Sequence, residues 1–298
     1  MIFTRDLLSQ GASEPELRRV RKTTSKVRHG VYAAEVEDDW HLFDLKCAAT
    51  LRLLKPGAAL AGPAAARHWG LPLVGEPPGQ VHVRGITRGG YGPGVKVVNG
   101  GRPALIEHHG LQVASVAWTV VDCARLLPRR DALMVADAAL HLRMCTHEDL
   151  VQAAASLGKA KGVGRVRWII ANADPASESA GETWMRMIVK DLGYAVTSQH
   201  RVNADGHRHR IDLLLDGTLV GLEFDGLIKY DRNETEDEVA AVVRQEKRRQ
   251  GRIEAIGYRL LRVIWEQLFD VNELDRRIRY ARGVPLTRRI RSAAPPGW

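Results

Sequence analysis

The spacing of apolar residues changes character twice along this 298-residue chain, and each change marks a region. From Met1 to about Ala34, "TRDLLSQG" predicts a short helix closed by Gly11. "SEPELRRVRKT" predicts a second helix, opened by Ser13, Pro15 and Glu16. "SKVRHGVYAA" then reads as a strand or ribbon turning at a glycine. From about Trp40 to Leu157 the two periods mix. "GPAAARHWG", "SVAWTVVDCARLL" and "DALMVADAALHL" are helical, "QVHVRG" and "GVKVV" are short strands, and Gly75–Gly79 and Gly85–Gly94 are glycine- and proline-rich turns. "GKAKGVG" at Gly158–Gly164 predicts a flexible break, followed by the helix-like "RVRWIIANA" and the turn "DPASES". No internal repeat is visible. The expected organisation is residues 1–36, 37–157, a linker and connecting helix over 158–174, and a last domain over 175–298.

That last region holds the most informative pattern, "RIDLLLDGTLVGLEFDG" over Arg210–Gly226. Two alternating apolar runs flank Asp216-Gly217, a strong signal for a two-residue hairpin turn with positive φ at both positions. Such a turn pairs Leu215 with Thr218, Leu213 with Val220, Asp212 with Gly221 and Arg210 with Glu223. Ile211, Leu213, Leu215, Val220, Leu222 and Phe224 then share one face; Asp212, Gly221, Glu223 and Asp225 share the other. Asp212 and Glu223 become diagonal neighbours about 7–8 Å apart, with Gly221 leaving space between them. Like charges held that close at neutral pH repel unless a cation joins them or one takes up a proton. Mg²⁺, a hard ion that binds through one or two carboxylates plus waters and phosphate, resolves the conflict, and Mn²⁺ is the alternative. Simple alternation on a solvent-facing sheet would also explain acids on the outer face. Three acids with no Lys or Thr among them on the second strand weigh against it.

Charge sharpens the reading of the first region. The chain carries a formal +9, which favours a polyanionic partner. Arg18, Arg19, Arg21 and Lys22 crowd the second helix, while Lys26 and Arg28 sit on the ribbon. Helix, tight turn, basic helix and basic ribbon together outline a winged helix-turn-helix, so these six residues are the expected contacts to duplex DNA. Cys47, Cys123 and Cys145 are odd in number, scattered and without metal-ligand spacing, which predicts free thiols in the cytoplasm. No apolar run approaches membrane-spanning length, so no membrane partner is expected. His108, His109, Asp122 and His141 can be assembled into a metal site on paper, but isolated residues at such separations are far more often structural.

The succession of helix "SAGETWMRMIVKDLG", the hairpin, "KY", the charged helix "EDEVAAVVRQEKRRQGRIEAIG" and the strand "YRLLRVIW" resembles the PD-(D/E)XK nuclease superfamily. Its very-short-patch-repair-like endonuclease branch is the nearest match, over roughly Ser179–Leu268. The resemblance implies a restriction-endonuclease-like α/β/α domain. Asp212 and Glu223 would ligate the metal, with the Phe224 carbonyl as a further ligand and Glu182 ligating or orienting the attacking water. Ser179-x-x-Glu182 is also a capping box, and the two roles are compatible. The superfamily lysine belongs two positions after the glutamate, where this chain has Asp225, and Lys229 is the candidate substitute. On an unbroken strand Lys229 would stand about 13 Å from Glu223, unless Gly226 bulges the strand. His207 and His209 precede the hairpin, with His209 on the Ile211 face away from the acids.

The first two regions, through "TRDLLSQGASEPELRRVRKTTSKVRHGVYAA", "GPAAARHWGLPL" and "GLQVASVAWTVVDCARLL", resemble AbiEi-type antitoxins of bacterial toxin–antitoxin systems. That resemblance implies a winged helix-turn-helix followed by a mixed α/β domain, and transcriptional repression with a cognate toxin as partner. The expectation is therefore an α/β protein that binds DNA and carries a metal-dependent endonuclease domain. The rival expectation is a non-enzymatic repressor that retains the nuclease fold.

Overall fold

The computed structural model describes residues 1–86, 92–226 and 236–283, with the side chains of 236–243 left out of the description. It is a mixed α/β structure with three sheets, and the chain divides into two compact units, Met1–Ala173 and Asp174–Trp298.

The first unit begins with β1 (Ile2–Phe3), α1 (Thr4–Ser9), α2 (Glu14–Thr23), β2 (Ser25–Arg28), β3 (Val31–Ala33) and α3 (Asp39–Leu53). Helix α2 starts where the sequence places its signal: Glu16 reaches back to the Ser13 backbone N–H at 2.7 Å, and Pro15 sits in the first turn. The small sheet runs β1-β3-β2, and its Phe3, Val27, Val31 and Ala33 close over Ala49, Leu45 and Leu53 of α3. There follow β4 (Ala59–Leu60), α4 (Gly62–His68), β5 (Val81–Arg84), β6 (Val95–Val97), β7 (Leu105–His108) and β8 (Leu111–Ala114). These strands form a sheet of order β6-β5-β4-β8-β7. Then come α5 (Val116–Leu126), α6 (Arg129–His141), α7 (His147–Ala155) and α8 (Val163–Asn172).

Residues 158–174, expected as a linker and connecting helix, include that helix as α8. Val166, Ile169 and Ile170 of α8 are buried in the first unit, and Arg125 donates to the carbonyls of Lys161 at 3.0 Å and Asn99 at 2.9 Å. One of the glycines, Gly162, serves close packing. Gly162 lies at φ 90, and a Cβ there would meet Arg125 Cγ at 3.2 Å.

The second unit comprises α9 (Ala180–Asp191), β9 (Val196–Ala204), β10 (His207–Leu215), β11 (Val220–Phe224), α10 (Glu236–Ala255), β12 (Arg259–Val263), α11 (Trp265–Leu268) and α12 (Val271–Ala281). Its sheet has the order β12-β11-β10-β9, antiparallel except for the parallel β11–β12 pair.

The hairpin register differs by two residues from the sequence expectation: Leu213 pairs with Leu222, and Leu214 with Gly221. A two-residue turn needs positive φ at both central positions, and only Gly217 (φ 70) has it. Asp216 is instead tied to the neighbouring strand, its N–H donating to Ala195 O at 3.0 Å. Thr218 closes a longer connection, with its N–H and hydroxyl both donating to Leu215 O. The even-numbered shift keeps acids and apolar residues on their own faces of β11.

Strand β10 departs further from the expected alternation. Ile211 packs with Val202, Ile253, Tyr258 and Leu260, and a Cβ on Gly221 would meet its Cγ2 at 2.6 Å. Gly221 pairs with Leu214, so the alternation that would set Ile211 beside Leu213 is broken at Asp212. The ladder places Gln199 opposite, and its backbone has φ 52. Such an irregularity re-aims a side chain, and the side chain re-aimed is Asp212. The space expected between the acids at Gly221 is filled by Ile211.

Candidate functional site

Asp212 and Glu223 come together in the middle of the second unit's sheet. The Asp212 carboxylate accepts from the Phe224 N–H at 2.8 Å, which sets it at the Glu223–Phe224 step of β11. Glu223 is 7% exposed, and its Oε1 is buried without a hydrogen-bond partner among the described residues. Burial pushes the Asp212 carboxyl up to about 6; the Phe224 N–H opposes this, while Glu182 and Glu223 add to it.

Glu182 caps α9 and also reaches β9. Its N–H donates to Ser179 Oγ at 3.1 Å, starting α9, and the Ser179 hydroxyl donates back to Glu182 Oε1 at 2.9 Å. Its other oxygen accepts from Gln199 Nε2 at 2.7 Å. That bond joins the helix start to β9 beside Asp212, and the Gln199 Oε1 is likewise buried and unpartnered among the described residues.

The cations come from α10 and β12. Arg249 donates to Glu223 Oε2 at 2.6 Å, to Glu246 at 3.0 Å and to the Arg210 carbonyl at 3.2 Å. Burial lowers the Arg249 pKa, but its bonds to Glu246 and Glu223 raise it overall, so the guanidinium is firmly charged. Arg262 donates to Glu246 at 2.5 Å and pairs with Asp225 at 3.6 Å. Asp225, in the place the superfamily resemblance gives to lysine, thus joins an alternating chain of charge that ends on Glu223. Lys229 lies outside the described residues.

These groups fit a hard divalent cation. Two buried oxygens have no partner among the described residues, and a carboxyl raised chiefly by burial, and further by Glu182 and Glu223, stands beside them. No three His, Cys, Asp or Glu side chains among the described residues form a metal-binding group. A cation here would therefore rest on Asp212 and Glu223, with amide, backbone or water oxygens completing its shell.

The expected DNA contacts divide. Arg18, Arg19, Arg21, Lys22 and Lys26 are exposed, although Arg18 and Arg21 lie 3.8 and 3.3 Å from Glu14. Arg28 turns inward instead, donating to Thr50 Oγ1, and burial lowers its pKa. Asp122, part of the metal site assembled on paper, is fully buried and held by both arms of Arg84 at 2.5 Å. His207 is exposed and His209 half-buried with an unpartnered Nε2 among the described residues.

Sequence reasoning missed Gln199, Glu246, Arg249 and Arg262. Helical spacing carries a signal for two of them, because Glu246 and Arg249 share a stripe with buried Ile253. Gln199 leaves none, since its role comes from the strand opposite. No helix among the described residues is long and apolar enough to cross a membrane, and Cys47, Cys123 and Cys145 are free.

No family model matches the chain. Two uncharacterized Mycobacterium tuberculosis proteins are similar to it, MT2308 of strain CDC 1551 / Oshkosh and Rv2248 of strain H37Rv. Each is 28% identical over 120 residues, which is 40% of this chain and 44% of the relative. The match thus spans less than half the length of these curated relatives. Among solved structures, the catalytic domain of the homing endonuclease I-Bth0305I aligns with a TM-score of 0.26 and 18% identity, covering 33% of this chain and 89% of that one. The Rv2827c protein from Mycobacterium tuberculosis aligns with a TM-score of 0.38 and 16% identity, over 69% of this chain and 84% of that one. Neither score is high enough to carry a functional argument.

Proposed function

We propose that the second unit is a metal-dependent endonuclease domain of the PD-(D/E)XK kind, hydrolysing nucleic-acid phosphodiesters, and that the first unit binds duplex DNA. The observation that carries this reading is the acid pair. Asp212 is held against Glu223 and Glu182 with its carboxyl raised to about 6, beside the unpartnered buried oxygens of Glu223 and Gln199. A stable sheet has no use for that concentration of unmet charge, whereas a site built to receive a cation does.

Asp212 and Glu223 would hold Mg²⁺ or Mn²⁺, which when bound would polarise a phosphoryl oxygen and acidify a water. The chain's own residues do the rest. Phe224 N–H fixes the Asp212 carboxylate, Arg249 fixes that of Glu223, and Glu182, anchored by Ser179 and Gln199, would orient a water or accept its proton. Lys229 remains the candidate to stabilise charge on the phosphate. In the first unit the α1–α2 pair and the β2–β3 ribbon would act as the helices and wing of a winged helix-turn-helix. Its exposed Arg18, Arg19, Arg21, Lys22 and Lys26 would meet phosphates in a bacterial toxin–antitoxin or defence setting.

The test is cleavage of supercoiled, mismatched and single-stranded DNA by the full chain with Mg²⁺ or Mn²⁺. Wild type should cleave at least one of them and Asp212→Asn none. Equal activity of the two would remove the acid pair from the reaction.

A second reading has its own support. Arg249 already neutralises Glu223, and Asp225 occupies the lysine's place. On that reading the protein is an AbiEi-like repressor, partnered with a cognate toxin, whose nuclease fold only binds. Wild type that binds duplex DNA but cleaves nothing with either metal would favour it.

A further inference from the structure

The ladder between β9 and β10 continues well past the acid site. Arg210 pairs with Arg201 and Arg208 with Asn203, and all four residues are exposed. The residues alternating with them point the other way: Val202, Ala204 and Ile211 are buried, and Val202 and Ile211 pack on Ile253 of α10. The ribbon therefore has one face sealed by a helix and one open face that is basic. With a helix on its back it cannot slot into a groove as a bare two-stranded ribbon can. It presents a flat surface suited to phosphates.

Two features set this surface apart from an ordinary solvated one. Like charges directly opposite each other in a ladder are destabilising, and Arg201 stands opposite Arg210. The nearby carboxylates are also already engaged. Glu178 accepts from Arg210 at 2.6 Å, Glu182 from Gln199 at 2.7 Å, and Asp205 lies 3.8 Å from Arg252. Arg201 and Arg208 have no ion-pair partner among the described residues. The basic face also abuts the acids. Arg210 reaches Glu178, whose N–H donates to Glu182 at 3.1 Å, and the next residues on the two strands in the acid direction are Gln199 and Asp212.

We propose that the open face of the β9–β10 ribbon, with Arg201, Arg208, Arg210 and Asn203, holds the sugar-phosphate backbone of duplex DNA and leads it to the acid site. The claim that it leads there rests on the nuclease reading above; the claim that it binds does not. Phosphate oxygens would relieve the Arg201–Arg210 repulsion and accept from the Asn203 amide. The ribbon face is a contact surface additional to the basic α2 helix, and its binding needs no metal.

The experiment measures binding of the full chain to a short duplex by fluorescence anisotropy, in chelator, over a series of salt concentrations. Arg201→Gln/Arg208→Gln should weaken binding and flatten the plot of log K against log salt by about two units, near 0.9 for each phosphate no longer neutralised. Arg201→Lys/Arg208→Lys should retain the slope, because charge rather than fold is being tested. The loss should persist in an Arg18→Ala/Arg21→Ala/Lys26→Ala background. Identical slope and affinity in wild type and the glutamine variant would overturn the proposal, as would a wild type that does not bind duplex DNA. Cleavage is read separately. If Asp212→Asn cleaves like wild type while the ribbon variant loses its slope, the nuclease reading fails and the binding face stands.

Discussion

The two units each bury a carboxylate beside arginine, Asp122 in the first and Glu223 in the second, and they do it in opposite ways. In the first, Asp122 is fully buried with both oxygens bonded to Arg84; Arg125 lies 3.5 Å away, and Arg84 also donates to the Gly100 carbonyl at 2.7 Å. Each polar atom has its partner, and Arg84 stacks over Trp118 at 4.9 Å. In the second, Arg249 takes only one oxygen of Glu223, the other has no partner among the described residues, and Asp212 stands near the carboxylates of Glu182 and Glu223. A buried ion pair with every bond made is a structural element. An acid pair with a bond left open among the described residues is, on the reading proposed above, where a cation would be received.

Breaking the first arrangement should have the largest effect. Arg84→Met leaves the Asp122 charge buried without its bidentate partner, and breaking such pairs costs about 3–5 kcal/mol. Urea unfolding of the full chain should show the first unit's transition moved to markedly lower denaturant. A change under about 1 kcal/mol would put this pair in the class of surface ion pairs.

Breaking the second should do the reverse. The Asp212 carboxyl, raised to about 6, holds its proton more tightly when folded than when unfolded, where its value is near 3.9. Ionised Asp212 therefore opposes folding. That destabilisation is full above about pH 6 and shrinks as pH falls towards about 4, vanishing below the unfolded value of about 3.9, where both states are protonated. Asp212→Asn should accordingly stabilise the metal-free chain at pH 7.5 by up to about 3 kcal/mol, with the gain shrinking at pH 4.5. Mn²⁺ should raise the melting temperature of wild type and much less that of Asp212→Asn. A variant less stable than wild type at pH 7.5 would mean that the Phe224 bond outweighs the repulsion.

The contrast was half legible in the sequence. The acids and the faces of β11 follow from alternation, and the α2 cap at Ser13 and the helices around Trp118 and Leu133 follow from capping and helical spacing; the break in β10 at Asp212 does not. The register did not follow, because Asp-Gly states a preference that Asp216 gives up when β9 binds its backbone. The packing before α8 was hidden behind a glycine-rich stretch that read as flexibility, in which Gly162 serves close approach to Arg125. Gln199 and Arg249 enter the site from elements distant in sequence, and Asp122 could be told from Asp212 only once the bonds of each were known.

The smallest expected effect belongs to Asp225. If the charges around Glu223 act as one chain, Asp225 is its outer end, half-exposed and 3.6 Å from Arg262. Exposed ion pairs of this kind contribute about 0–1 kcal/mol, and solvent screening at this position favours the lower half of that range. Arg262 also keeps its closer bond to Glu246 at 2.5 Å whether or not Asp225 is charged. Asp225→Asn should therefore leave unfolding nearly unchanged and Mn²⁺ binding, followed by calorimetry, within about threefold of wild type, or less than 1 kcal/mol. Loss of Mn²⁺ binding comparable to that in Asp212→Asn would show instead that Asp225 itself ligates the metal. The site would then need three acids, and the chain from Arg262 to Arg249 would be scaffolding around them.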